Sequence, residues 1–132
     1  MTNTEPNING TILVVDDEEV IVSLLSSILE REGYQVHCGR SGREGVEIAM
    51  KTHPDLIIMD ILMPDLDGYG ATRLIKQNPT MQNVPVIFLT GRSAEEDGGK
   101  AFANGATTFV RKPFKRRQIT DLVKLTMMSA TA

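Results

Sequence analysis

Ile12-Leu13-Val14-Val15-Asp16-Asp17 and Leu56-Ile57-Ile58-Met59-Asp60 follow one pattern: four apolar residues, rich in β-branched types, that stop at carboxylates. Two further runs end in polar groups, Val86-Ile87-Phe88-Leu89 at Thr90 and Phe109-Val110 just before Lys112. Runs this short, separated by helix-length stretches, read as strands of a parallel sheet covered on both faces. Ligands on such sheets bind beyond the carboxyl ends of the strands. Asp16, Asp17, Asp60, Thr90 and Lys112 all stand at those ends, so the pattern gathers three carboxylates, a hydroxyl and an ammonium around one crevice.

The stretches between the runs have helical character. Val20, Ile21, Leu24, Leu25, Ile28 and Leu29 recur in pairs four apart and predict one buried helix face that stops near Gly33. Tyr34 to Gly39 reads as a second strand. Ser41 with Glu44 has capping-box spacing and predicts a second helix to about Thr52, with Pro54 closing the connection. Met63-Pro64-Asp65-Leu66-Asp67-Gly68 is a loop opening a third helix that ends before Pro79, and Val84 to Leu89 reads as the fourth strand. Ser93 with Glu96 starts a fourth helix running to Asn104, with Gly105 as its stop. Gly98 and Gly99 interrupt that helix at roughly 0.8–1.0 kcal/mol each relative to Ala, so it is expected to be the least stable of the set. Thr107 to Arg111 is the fifth strand, and Lys115 to Met128 a closing helix with Ile119, Leu122, Val123 and Thr126 on one face. Five strands alternating with five helices imply right-handed crossovers and a three-layer α/β sandwich; the pattern alone leaves the strand order open.

A length of 132 residues suits a single domain, expected over 11–128 between a loose tail at 1–10 and a short one at 129–132. Hydrophobic content of 41% and charged content of 23% are ordinary for a globular protein, and the apolar runs are too short to cross a bilayer. Met1 to Gly10 lacks the basic start and apolar stretch of a secretory signal. The single cysteine, Cys38, has no internal partner, which fits a reducing compartment and a cytoplasmic location. A net charge of −3 argues against nucleic-acid binding by the whole surface, and Lys115, Arg116 and Arg117 come with no recognition helix or interleaved aromatics.

If strand one neighbours strand three, a spacing of about 4.8 Å puts Asp60 beside Asp16 and Asp17. Carboxylates that close must take up a proton or a cation. Hard oxygen donors without a nearby His or Cys favour magnesium (Mg2+).

These residues and spacings closely resemble the receiver domain of two-component response regulators. The resemblance covers Ile12 to about Met128 and rests on Asp16-Asp17, Asp60 followed by Met63-Pro64 and Asp67-Gly68, Thr90, and Lys112-Pro113. It implies a flavodoxin-like fold with sheet order 2-1-3-4-5 and Asp60 as the phosphoacceptor. It also implies that Asp17, Asp60 and the backbone carbonyl of Leu62 bind magnesium directly, with Asp16 acting through a metal-bound water. Lys112 then neutralises charge on the transferring group. Thr90 bonds a phosphoryl oxygen, and its inward shift makes room for the ring of Phe109. The implied donor is a sensor histidine kinase or a histidine phosphotransfer protein. The implied output is a contact between the face of helix four, strand five and helix five and a downstream protein, as in stand-alone chemotaxis-type regulators or phosphorelay carriers. A monomer or weak dimer through that face is expected.

Simpler readings exist for each residue alone. Asp16 or Asp17 suits the N-cap of the first helix, Asp60 a turn, Thr90 a strand end and Lys112 a solvated charge; their joint placement favours the site. His37 and His53 read as surface or edge residues. An aspartate-nucleophile phosphatase of the haloacid-dehalogenase type needs a second Asp two residues beyond the nucleophile, where this chain has Leu62. A flavin module needs a hydroxyl-rich phosphate cradle that the loops lack. The resemblance implies that Leu62 and Arg92, two residues beyond Asp60 and Thr90, overlook the path of a hydrolytic water; Leu62 cannot orient it, so slow self-dephosphorylation is expected, while Arg92 either steadies the phosphoryl group or faces solvent.

Overall fold

The computed structural model describes residues 9–91 and 108–131. Its strands are β1 (Thr11–Val15), β2 (Gln35–Gly39), β3 (Leu56–Asp60), β4 (Val86–Thr90) and β5 (Thr108–Arg111). They form one parallel sheet in the order β2-β1-β3-β4-β5. Helices α1 (Glu19–Arg31), α2 (Gly42–Thr52), α3 (Gly68–Lys76) and a C-terminal helix (Arg116–Thr131) accompany it, with a 3₁₀ turn at Pro79–Met81. The expected fourth helix, with Gly98, Gly99 and Gly105, lies outside the described residues, as do Arg92 and the start of the N-terminal tail.

Alternation along the strands sorts the core into two layers. Leu13, Val15, Ile57, Met59 and Phe88 face one way and pack with Ala49 of α2 and Ala71 and Ile75 of α3. Ile12, Val14, Ile58, Ile87, Leu89 and Val110 face the other, against Leu25, Ile28 and Leu29 of α1 and Ile119 and Val123 of the C-terminal helix. Every residue of β3 is buried, as the middle strand of a doubly covered sheet requires.

The structure corrects several boundaries and one face. The buried line of α1 is Val22, Leu25, Ile28 and Leu29, while Val20 is 75% and Leu24 46% exposed. Each step of four residues advances about 40° around a helix with 3.6 residues per turn, so a line starting at Val20 reaches the core only at Ile28. Strand β4 begins at Val86 because Pro85 has no N–H for the ladder; its carbonyl still accepts from the Ile57 amide at 3.0 Å. The C-terminal helix starts at Arg116 and runs past Met128 to Thr131, so the residues read as a short tail largely continue it.

Caps set the other helix ends. Ser41 accepts from the Glu44 amide at 3.1 Å as expected, but Glu44 Oε1 reaches back to the Arg40 amide, at 2.7 Å, instead of to that of Ser41. His53 ends α2 in the left-handed region, φ 47, its amide bonded to the Ala49 carbonyl. Asp67 caps α3 through the Gly70 amide at 2.8 Å. No helix among the described residues is long and apolar enough to cross a membrane.

Candidate functional site

Strand register builds the site. Val15 pairs with Met59 across β1 and β3, so the residues that follow, Asp16 and Asp60, leave the sheet side by side. Asp60 pairs with Leu89 and Thr90 with Arg111, which carries the polar ends of β4 and β5 to the same edge. The Lys112 amide donates to the Thr90 carbonyl at 2.7 Å, so Lys112 sits one residue past the end of β5 in a fixed backbone position.

Lys112 Nζ lies 2.9 Å from Asp16 Oδ2, 3.2 Å from Asp60 Oδ1 and 3.1 Å from Glu18 Oε1. Carboxylate oxygens of Asp16, Asp17 and Asp60 come within 4.8 Å of one another. Asp16 and Asp60 are buried and Asp17 is exposed, so the cluster opens to solvent on the Asp17 side. Neither aspartate of the pair caps α1: its N-cap is Glu18, whose amide donates to Asp16 Oδ1 at 2.9 Å. That bond holds Asp16 in place and removes the simple capping reading.

Burial and like charge dominate the electrostatics. Burial, with the Asp16 charge beside it, pushes the Asp60 carboxyl up to about 7 against the pull of Lys112. Asp16 is also raised, by burial that outweighs its bonds to the Glu18 amide and to Lys112. Burial acts against the Lys112 ammonium, yet its bonds to Asp16 and Glu18 and the charge of Asp60 leave it raised and fully charged. Several carboxylates share one ammonium, which leaves an excess of negative charge that a small hard cation would balance. The all-oxygen donor set, together with the raised Asp16 and Asp60, fits magnesium.

Thr90 is buried, 3% exposed, at the end of β4. Phe109 pairs with Phe88, two residues back along β4, so Thr90 and Phe109 project from the same face of the sheet on adjacent strands. Phe109 is half-buried there against the α2 and α3 layer. Leu62, two residues beyond Asp60, is 58% exposed. Gly68 lets α3 start against the Asp60 carbonyl, which a β-carbon at that position would overlap.

All five residues first singled out are thus brought to one end of the sheet. Two that were passed over also reach it. Glu18 pairs with Lys112, and its signal was the unbroken acidic run Asp16-Asp17-Glu18-Glu19. Arg40, at the end of β2, donates from Nη2 to the Asp17 carbonyl at 3.1 Å; nothing in the sequence marks it.

Residues 12–124 match the sequence family described as the response regulator receiver domain. Over 116 residues the chain is 40% identical to the alkaline phosphatase synthesis transcriptional regulatory protein PhoP of Bacillus subtilis, covering 88% of this chain and 48% of that protein. It spans about half or less of the curated relatives it matches. Among solved structures, it is similar to the signal receiver domain of a signal transduction histidine kinase from Syntrophus aciditrophicus, with TM-score 0.82, 40% identity and 91% of each chain covered. It is also similar to the receiver domain of sensor histidine kinase PA1611 from Pseudomonas aeruginosa PAO1, with TM-score 0.82 and 31% identity, covering 89% of this chain and 97% of that one. That structure is described as having a magnesium ion coordinated in the active site cleft.

Proposed function

This chain belongs to the response regulator receiver family, and from that premise we propose that Asp60 accepts a phosphoryl group from a phosphohistidine on a sensor histidine kinase or histidine phosphotransfer protein. The observation that carries the reading is the ion pair of 3.2 Å between Lys112 Nζ and Asp60 Oδ1 inside a partly buried acidic cluster. A carboxylate held beside an ammonium at a strand end is placed to take a phosphoryl group, with the ammonium ready to meet the incoming oxygens.

An ionised Asp60 oxygen forms the new bond to phosphorus while the bond from phosphorus to the donor imidazole nitrogen breaks and its electron pair stays on that nitrogen. Lys112 moves part of its bonding from Asp60 to the transferring oxygens. Thr90 supplies a hydroxyl to one of them. Asp17, Asp60 and the Leu62 carbonyl would hold magnesium, with Asp16 acting through water; the ion supplies positive charge that keeps Asp60 ionised at neutral pH. The protein thereby assists its own phosphorylation and dephosphorylation as a signalling phosphoacceptor.

The added group brings roughly −1.5 to −2 charges, enough to bias a two-state equilibrium of a few kcal/mol. Thr90 and Phe109 share a face on neighbouring strands, so a shift of Thr90 towards the phosphoryl group changes the space open to the Phe109 ring. The readout surface is then β5 and the C-terminal helix, with the expected fourth helix that lies outside the described residues, where a downstream protein or a weak dimer contact reads the change in the cytoplasm. Val20, exposed in the first turn of α1, and Leu62, exposed on the loop after β3, offer apolar contacts to the phosphodonor.

Incubation with a small phosphodonor and magnesium, followed by a phosphate-affinity gel, tests the reading. The wild type is expected to shift and Asp60→Asn to stay put; labelling that survives in the variant overturns it. The phosphatase alternative loses ground because Leu62, in place of a general acid, is an exposed hydrocarbon.

A further inference from the structure

The segment from Gly39 to Glu44 touches both loops that carry the acidic cluster. On one side the Asp16 amide donates to the Gly39 carbonyl at 3.1 Å, and Arg40 Nη2 donates to the Asp17 carbonyl at 3.1 Å. On the other, Arg43 Nε meets Asp65 Oδ2 at 2.5 Å, on the loop that leaves β3 through Asp60 and Leu62. Asp65 holds φ 71, in the left-handed region that Asp and Asn enter more readily than other residues with a β-carbon. Between the two arginines, Gly42 lies so close to the Leu66 carbonyl that a β-carbon would overlap it. The first arginine is anchored in turn, because its amide donates to Glu44 Oε1 within the cap of α2.

We infer that Arg40 and Arg43 are positioning residues for the metal site: one fixes the Asp16-Asp17 loop and the other the Asp60-Leu62 loop, across the start of α2. The inference rests on the reading of the acidic cluster as that site. Magnesium demands near-ideal geometry from its oxygen ligands, so loops that wander bind it poorly even when every ligand is present. Groups behind the ligands set this order and cost roughly 10–100-fold in affinity when removed.

The sign of the effect separates positioning from plain electrostatics. A guanidinium close to the cluster repels a cation, so if charge were its whole influence, removing Arg40 would tighten magnesium binding. Loss of positioning weakens it. Global stability is a poor guide, because Arg40 is exposed and the Arg43–Asp65 side chains are 70% and 66% exposed, and such surface pairs contribute little to folding.

Isothermal titration with magnesium reads the difference without any phosphoryl donor. Arg40→Ala and Arg43→Ala are each expected to bind about tenfold more weakly than wild type, with unfolding temperatures of the metal-free proteins close to wild type. Arg40→Gln, which keeps a donor without charge, and Arg43→Lys, which keeps the ion pair, recover part of the loss. Asp65→Asn, which tolerates the left-handed backbone, matches Arg43→Ala. Alanine variants that bind as tightly as wild type, or more tightly, overturn the positioning role. A wild type that takes up no magnesium overturns the reading of the site and this inference with it.

Discussion

The Lys112 amide is bonded to the Thr90 carbonyl at 2.7 Å, so the ammonium and the hydroxyl of the site share a main-chain link that no side-chain substitution removes. Lys112→Ala therefore deletes the charge while leaving Thr90 in place. Asp16 and Asp60 lose the cation that lies 2.9 Å and 3.2 Å from them. Phosphorylation by a small donor at saturating magnesium is expected to slow by about 10²–10³-fold, the range for one oriented donor at a developing charge. Stopped-flow or gel time courses measure it, and a rate within a few-fold of wild type would show that the ammonium is idle in the transfer.

Asp60 makes the metal-free fold sensitive to pH. Its carboxyl rises from the usual 3.8 to about 7 in the folded chain, chiefly through burial. A raised carboxyl favours the protonated folded state, so its contribution is present below the unfolded value and is lost as pH climbs through the folded one. Stability without magnesium is expected to fall between about pH 4 and 7, by at most roughly 4 kcal/mol at 1.36 per pH unit. Asp60→Asn removes that part of the slope and is the more stable protein at pH 8; Asp16, raised in the same direction, leaves a remainder. Urea titrations in chelator across this range supply the comparison, and parallel curves for the two proteins would contradict the raised carboxyl.

The sheet and the cluster were legible in the chain because both are made by residues with strong local signals. Ile57 and Ile58 announce a strand buried on both faces, and carboxylates that end two such runs announce a shared edge. Helix α1 was harder to read, since Val20 and Leu24 are as apolar as the buried Leu25, and only packing shows which line meets the sheet. Glu18 and Arg40 escaped for another reason. Exposed charged residues follow no period, and their partners, Lys112 and the Asp17 carbonyl, are 94 and 23 residues away along the chain. Such pairings exist only after the strand order has been set.

Magnesium binding is expected to carry a proton with it. An Asp60 carboxyl near 7 is largely protonated at pH 6 in the free protein, while ligation requires the ionised form. Affinity should fall as pH drops below about 7, with close to one proton released per ion bound at pH 6. Calorimetry in two buffers of different ionisation enthalpy counts that proton. Equal affinities at pH 6 and pH 8 would mean that Asp60 is already ionised before the metal arrives.

If Asp60 carries the phosphoryl group as proposed, Leu62 is expected to lengthen the lifetime of the phosphorylated form. Its side chain, two residues beyond Asp60 in the chain, is 58% exposed, and the proposed reading has it stand where a polar group could hold the water that attacks phosphorus. A hydrocarbon leaves that water unoriented, and orientation is the larger part of what such a site can give to hydrolysis. Leu62→Asn supplies a carbonyl acceptor and an amide donor at the same point with no change in the cluster itself. Loss of phosphoryl label after the donor is removed is expected to quicken by on the order of tenfold, about 1.4 kcal/mol of barrier. Since Leu62 contributes its main-chain carbonyl to the proposed metal set, magnesium affinity serves as the control and should not change. A wild-type half-life of seconds, or a variant that decays no faster, would place the control of hydrolysis elsewhere in the site.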